Sequence, residues 1–157
     1  MESPLSHTII FKEKPEDADV YAIAAPLQQF NNENGPQAKY SSMVLQVLDG
    51  DGKVTGGLFG KIAYEWMHIE FLVVPESSRG QGIGQALMRQ AESIALERGC
   101  TGIYLDTLEF QARGFYEKLG YTVFGKLDDF PKGGAHYFLS KRLSSTPSAS
   151  AAQGIVP

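Results

Sequence analysis

The pattern of apolar and polar positions along the chain predicts short strands separated by helices. Segments rich in β-branched, aromatic and other apolar residues predict strands over residues 6–11, 43–48, 54–64, 66–74, 102–108, 121–126 and 136–143. The segment 66–74 is almost continuously apolar, which is typical of a strand covered on both faces. Asp49-Gly50-Asp51-Gly52 predicts a tight turn between the second and third strands.

Helical spacing is clearest over residues 82–98, where apolar residues recur on one face: Ile83, Leu87, Ala91, Ile94 and Ala95. Gly99 is placed to end this helix. A first helix is predicted over residues 16–31, a loop over 31–36, and a short helix over 112–119 that ends at Gly120. The order β-α-β-β-β-α-β-α-β-β predicts an α/β (α+β) fold, in which a mixed sheet carries helices on its faces.

Size and composition indicate a single folded domain. The chain has 157 residues with 43% hydrophobic content, enough for one core and too little for two. We assign the domain to residues 1–143 and expect residues 144–157, which are rich in Ser, Ala, Thr and Pro, to form a disordered tail.

Charge, hydropathy and cysteine content exclude several classes of partner. The net charge is −4 and basic residues are scattered, so we expect no nucleic-acid partner. No apolar run approaches the roughly 18 residues of a membrane helix, so we expect no membrane partner. Cys100 is the only cysteine, which excludes an internal disulfide and leaves no cluster for a metal. These features predict a soluble cytoplasmic protein.

The turn Arg79-Gly80-Gln81-Gly82-Ile83-Gly84 predicts a phosphate site, because it joins an apolar strand to the positive N-terminal end of a helix. A dinucleotide fingerprint is disfavoured because its third glycine would fall on Gln85, and a P-loop lacks its Gly-Lys-Ser/Thr. An ordinary tight turn with a solvated Arg79 is the structural alternative.

This turn, followed by Phe115-Tyr116-Glu117-Lys118-Leu119-Gly120-Tyr121, resembles the GNAT superfamily of acetyl-CoA-dependent N-acetyltransferases, and a small bacterial member in particular. The resemblance covers nearly the whole domain. It implies a central, mostly antiparallel mixed sheet of six to seven strands with helices on both faces. It also implies acetyl-CoA as acetyl donor, no metal, and, by analogy with the family, a homodimer.

The resemblance also implies which residues hold the cofactor. The backbone of Leu72, Val73 and Val74 would bind the pantetheine arm as a missing strand partner does. The pyrophosphate would lie on Arg79 and on the N–H groups of Gly80, Gln81, Gly82, Ile83 and Gly84. Phe115 is the last residue that the resemblance assigns to cofactor binding. Family members often carry an Asn where this chain has Glu109, so that contact is either made by Gln111 or absent.

Amide formation requires a neutral amine and a proton for the departing thiolate. A coenzyme thiol has a pKa of about 8.5 and a tyrosine about 10, so Tyr116 is the candidate acid. Its alternative role is a core aromatic. Glu70, inside an apolar strand, is the candidate base, and His68 on the same face is a second. Alternatively, Glu70 binds a cationic substrate and His68 is a half-buried strand residue.

The sequence therefore predicts direct transfer of acetyl from acetyl-CoA to a primary amine of a small molecule in a ternary complex. Substrate selection is expected from the first helix and from residues 31–39 and 127–136. Three alternatives stay open: a non-catalytic acyl-CoA sensor module, a protein lysine or N-terminal acetyltransferase, and an enzyme that uses a longer acyl donor. A nucleophilic role for Cys100 is disfavoured, because no base accompanies it.

Overall fold

A six-stranded mixed sheet dominates the second of two units into which the chain divides, with the boundary between Gln37 and Ala38. The structure is a computed structural model, and it describes residues 7–144. The predicted tail from residue 145 onward lies outside the described residues.

The first unit contains helix α1, Asp17–Asn34. The backbone N–H of Glu16 donates to the Asp19 side chain at 2.7 Å, and this capping box satisfies N–H groups that the first turn leaves unpaired. The predicted helix is confirmed but extends to Asn34, whose side-chain amide donates to the Phe30 carbonyl at 2.9 Å. The loop that we predicted from residue 31 therefore begins at Gly35.

The predicted strand over residues 6–11 is wrong across its described part, because residues 7–11 form no strand. Their β-branched composition favours a strand, but composition is a weak preference that a pairing partner must reinforce.

The sheet of the second unit has the order β1-β2-β3-β4-β6-β5. Its strands are β1 Ser41–Leu48, β2 Val54–Ala63, β3 Trp66–Val73, β4 Gly102–Leu108, β5 Thr122–Asp128 and β6 Ala135–Arg142. Only β3 and β4 are parallel, and every other neighbouring pair is antiparallel, which confirms the mixed, mostly antiparallel sheet. A 3₁₀ turn, Glu76–Ser78, then leads to helix α2, Ile83–Glu97, and helix α3, Arg113–Lys118, follows β4.

The pairing of β2 with β3 contains a bulge at Glu70, because Gly60 pairs with Ile69 and Phe59 with Phe71. A bulge reverses the alternation of side chains along the strand. Ile69 and Leu72 consequently face the core, whereas Phe71 is 62% exposed. The expectation that this strand is covered on both faces is therefore wrong.

The core lies between the sheet and helices α2 and α3. Helix α2 buries Leu87, Met88, Ala91 and Ala95, as its helical spacing predicts. They meet strand residues such as Met67, Ile103, Leu105 and Leu139 and, next to α3, Tyr116 and Tyr121 in a single cluster. Gly99 ends the helix region with φ +75°, which confirms its predicted role.

Strands β3 and β4 are hydrogen-bonded to each other only along their first halves. They pair from Trp66 with Gly102 to Ile69 with Leu105, and no pairing follows. Beyond that point β3 continues to Val73 and β4 to Leu108. A gap therefore opens between two parallel strands, on the side where α2 and α3 begin.

A polar contact ties α2 to β6. Glu92 on α2 accepts from the Tyr121 hydroxyl at 3.1 Å and from the Lys141 ammonium at 2.9 Å. Burial and the Glu92 charge raise the pKa of Tyr121, so its hydroxyl stays a donor.

We expect Glu92→Ala to destabilise the protein by about 2 kcal/mol, because the half-buried Lys141 ammonium and the buried Tyr121 hydroxyl both lose their acceptor. Urea unfolding measures this. Glu97→Ala, on an exposed turn of the same helix, should change the free energy of unfolding by less than about 0.5 kcal/mol. Equal losses in the two variants would contradict the role given to Glu92.

Candidate active site

A cleft of about 780 Å³ lies beyond the point where β3 and β4 separate, beside the end of β3 and the loop that follows β4. It runs from the end of β3, across the glycine turn, to α3. The predicted cofactor residues that line it are Leu72, Val73, Val74, Arg79, Gly80, Gly82, Ile83, Gly84, Gln111 and Phe115, and Tyr116 lines it as well. Gln81 does not line it, and its side-chain amide donates instead to the Ser77 carbonyl at 3.1 Å. Apart from Gln81, the cofactor residues predicted from the sequence therefore line one cleft.

The glycine turn leaves room beside the helix end. Gly82 precedes α2 with φ +80°, and a methyl group there would meet no other atom within 4 Å. The Ala86 N–H donates to the Gly82 carbonyl at 2.9 Å, so the amides before it have no acceptor within the helix. The first turn of α2 also carries no acidic residue. These features suit an anion at this end of the cleft.

Close packing fixes Gly84. A methyl group at this position would lie 3.2 Å from both the Phe115 ring and the Val74 side chain. The absence of a side chain lets α2 approach α3 and the end of β3, which closes the floor of the cleft.

Tyr116 is the buried polar group of the cleft. It is 8% exposed, with Phe115 and Tyr121 in edge contact at ring distances of 5.1 and 6.3 Å. Burial, with a further contribution from the Asp106 charge, raises the pKa of Tyr116 to about 12. The hydroxyl is therefore protonated at neutral pH. The residue belongs to the core and also lines the cleft, so its packing is compatible with the predicted role as an acid, which stays a prediction.

Glu70 lies outside the residues that line the cleft. Its carboxylate is paired with the Lys61 ammonium of β2 at 2.8 Å, and its side chain is 22% exposed. The pair offsets the cost of placing a carboxylate in an apolar strand. His68 lies two residues earlier, with its ring stacked on Tyr104 at 4.5 Å and Nε2 3.3 Å from an Asp106 oxygen.

The side chain of Gln111 is engaged within its own loop. Its amide oxygen accepts from the Leu108 N–H at 2.8 Å and from the Thr107 hydroxyl at 3.2 Å. Glu109, which stands where the family often has Asn, is not among the lining residues, and its N–H donates to the Ala135 carbonyl. The side-chain oxygen of Gln111 thus holds the cleft wall in shape.

Sequence reasoning missed several lining residues: Ser78, Gln85, Phe110, Ala112, Lys118 and Leu119. Lys118 is a second cation among the lining residues, in addition to Arg79. Lys118 and Leu119 could have been predicted from helical spacing, because they lie three and four positions after Phe115 and share its face.

Cys100 is 5% exposed, and burial raises the pKa of its thiol. Both features oppose a nucleophilic role. Within residues 7–144, no group of three or more His, Cys, Asp or Glu side chains is arranged to hold a metal ion. Across the same residues, no helix has the length and apolar character needed to cross a membrane.

Comparison with known proteins agrees with this geometry. Residues 9–121 match the acetyltransferase (GNAT) family. An acetyltransferase of Agrobacterium fabrum is 37% identical over 78% of this chain and 89% of its own length. Blasticidin-S acetyltransferase of Streptomyces morookaense is 39% identical over 59% of this chain and 68% of its own. The crystal structure of an acetyltransferase from Bacillus cereus has a TM-score of 0.78 and 35% identity, covering 85% of this chain and 98% of that one.

The chain therefore belongs to the acetyltransferase (GNAT) family. It is an acyltransferase, and its acetyl donor is acetyl-CoA.

Proposed function

We propose that this acyltransferase moves the acetyl group of acetyl-CoA to a primary amine of a small molecule, by direct attack within a ternary complex. The observation that carries the proposal is the position of Tyr116, a protonated and buried hydroxyl in the wall of the cleft between the parted strands. Two relatives support a small acceptor by their names, blasticidin-S acetyltransferase and streptothricin acetyltransferase.

The cofactor lies along the cleft in this proposal. Beyond Ile69, β3 has no hydrogen-bonded neighbour on its β4 side, so the backbone of Leu72, Val73 and Val74 is free to bind the pantetheine arm. The pyrophosphate meets the amides of residues 80–84, with Arg79 beside them. The thioester then reaches Tyr116, where the gap begins.

Tyr116 assists the departing sulfur without giving up its proton permanently. With a pKa of about 12, the phenol is a weaker acid than a thiol at about 8.5. Its hydroxyl donates a hydrogen bond to the sulfur as the C–S bond breaks. A proton that passes to the thiolate is replaced by one from the nitrogen, which becomes acidic once the C–N bond forms.

Glu70 and His68 are both candidates for removing the first proton from the amine. One oxygen of the Glu70 carboxylate is already paired with the Lys61 ammonium at 2.8 Å. His68 faces the same side of the sheet, with its ring held by Tyr104. A homodimer, a cytoplasmic location and the absence of nucleic-acid and membrane partners stay predictions from the sequence.

Release of free thiol from acetyl-CoA across a panel of amines tests the proposal. The panel contains ring-bearing amines, polyamines, aminoglycosides and lysine peptides, and burial of Cys100 keeps the background low. We expect turnover with a small-molecule amine. Turnover of lysine peptides alone, or cofactor binding without any turnover, would contradict the proposal.

We expect Gly82→Ala to weaken coenzyme A binding at least about 10-fold, because the methyl group enters the space assigned to the pyrophosphate. Gly52→Ala is the matched control, since Gly52 has φ +79° and open space around it but lies in the β1–β2 turn. Both variants carry about 1 kcal/mol of left-handed backbone strain. Calorimetry of coenzyme A compares them, and equal affinities would place the pyrophosphate elsewhere.

We expect Tyr116→Phe to lower turnover about 100-fold or more, because the sulfur loses its hydrogen-bond donor. Coenzyme A affinity should stay within about 2-fold, since phenylalanine fills the same space. Tyr64→Phe, outside the cleft, should retain turnover. Full activity of Tyr116→Phe would show that the hydroxyl has no role in acetyl transfer.

A further inference from the structure

The sheet has a second face, opposite α2 and α3. Met67 on β3 and Ile103 and Leu105 on β4 are buried in the core. Side chains alternate across a strand, so the intervening ones point to the other face: Trp66, His68, Tyr104 and Asp106. His136 joins them from β6, because it pairs with Leu108, two positions after Asp106.

A cavity of about 520 Å³ lies on this face. Its walls include the rings of Tyr40, Trp66, Tyr104 and His68, with Lys61 as the charged group. The Trp66 and Tyr104 rings are 6.5 Å apart, and the His68 ring is parallel to Tyr104 within 6°. Such a row of aromatic faces suits a flat, unsaturated ring rather than a flexible polycation.

Asp106 does not itself line this cavity, but it contacts two histidines, one of which, His68, belongs to the cavity wall. His136 Nε2 lies 2.7 Å from one carboxylate oxygen, and His68 Nε2 lies 3.3 Å from the other. His136 is 9% exposed, between the rings of Phe130 and Phe138. Its Nδ1 has no partner among the described residues, which favours the tautomer with the proton on Nε2, donated to Asp106. His136 therefore orients the carboxylate.

Asp106 also stands at the mouth of the gap. It follows Leu105, the last β4 residue that pairs with β3. Its negative charge contributes to the raised pKa of Tyr116 on the far side of the sheet. The carboxylate thus contacts a residue of the aromatic cavity, His68, and its charge acts on a residue of the cleft, Tyr116.

We propose that the aromatic cavity seats a small amine with a flat, unsaturated ring, that its amino group reaches Asp106 through the gap, and that Nδ1 of His68 accepts its proton while Nε2–H donates to Asp106. The proposal rests on the acetyltransfer proposed above and names the acceptor site for it. Asp106 binds the ammonium ion and then stabilises the imidazolium of His68, as a carboxylate does for a catalytic histidine.

The protons balance. The ammonium ion gives one proton to His68, which releases it to solvent. The neutral nitrogen attacks the thioester carbon, the C–N bond forms and the C–S bond breaks. The nitrogen loses its second proton, which ends on the coenzyme sulfur through Tyr116. The products are the amide, the coenzyme thiol and one proton in solution.

The other ionisable groups beside this cluster on the described face are Lys61 on β2, Glu70 on β3 and Tyr104 on β4. Lys61 and Glu70 form an ion pair, so their charges largely cancel. A pH effect at this site therefore involves Asp106 with its two histidines, His68 and His136, together with the amine.

Intrinsic fluorescence tests the cavity without turnover, because Trp66 is the only tryptophan in the chain. Histamine, tyramine and 2-(aminomethyl)pyridine are titrated against 1,4-diaminobutane and n-butylamine, with excitation that avoids tyramine. We expect the ring amines to change Trp66 emission saturably and the aliphatic amines to bind at least about 10-fold more weakly. In Tyr104→Leu the ring-amine affinity should fall about 3- to 10-fold. Equal responses, or none, would overturn the acceptor class even if acetyl transfer to another amine is observed.

The pH profile tests the proton path with the best amine found in the panel. Asp106→Asn and His68→Gln should lower kcat/KM about 100-fold at pH 7, and the loss should shrink towards pH 10, where the amine deprotonates in solution. Asp51→Asn, in the exposed β1–β2 turn, is the matched control with an unchanged profile. A loss of equal size at every pH would assign the cluster a structural role. A loss rescued by high pH in Glu70→Gln, and not in these variants, would assign the base to Glu70.

Discussion

The separation of β3 from β4 after Ile69 and Leu105 is the constraint on which the rest of the site depends. Parallel strands that stayed paired would consume the backbone of residues 70–73 and close the cleft. Because they part, one edge of β3 keeps backbone groups without a strand partner on the β4 side, and in our proposal the extended cofactor takes the place of that strand. The bulge at Glu70 accompanies the separation, since it turns Leu72 into the core and Phe71 away from it.

The gap also connects two chemically different faces of one sheet. The helix side offers a cleft lined by apolar residues, the glycine turn and two cations, which suits a long, anionic cofactor. The opposite side offers aromatic walls and a carboxylate, which suits a cationic amine with a flat body. Tyr116 and Asp106 lie on the two sides of the gap. The charged carboxylate and the protonated phenol are compatible neighbours. The carboxylate charge contributes to the raised pKa of the phenol, and in the proposed mechanism the phenol donates a hydrogen bond to the leaving sulfur.

The cofactor side could be predicted from the sequence, because its signals are local. The glycines around Arg79, the helical spacing after Ile83 and the Tyr116 motif each lie within one short segment. The acceptor side could not be, because Asp106 and His136 meet only through the antiparallel register of β4 and β6. The sequence around Glu70 shows no pattern that distinguishes the bulge from a regular strand. The apolar residues 7–11 show the converse, since β propensity without a paired neighbour produced no strand.

Amide hydrogen exchange with and without coenzyme A measures the central claim most directly, namely that the cofactor takes the place of a strand in the gap. The account predicts that the cofactor slows exchange at residues 72–74 and 80–84 and leaves β5 unchanged. Slowed exchange elsewhere, with these two segments unaffected, would contradict it.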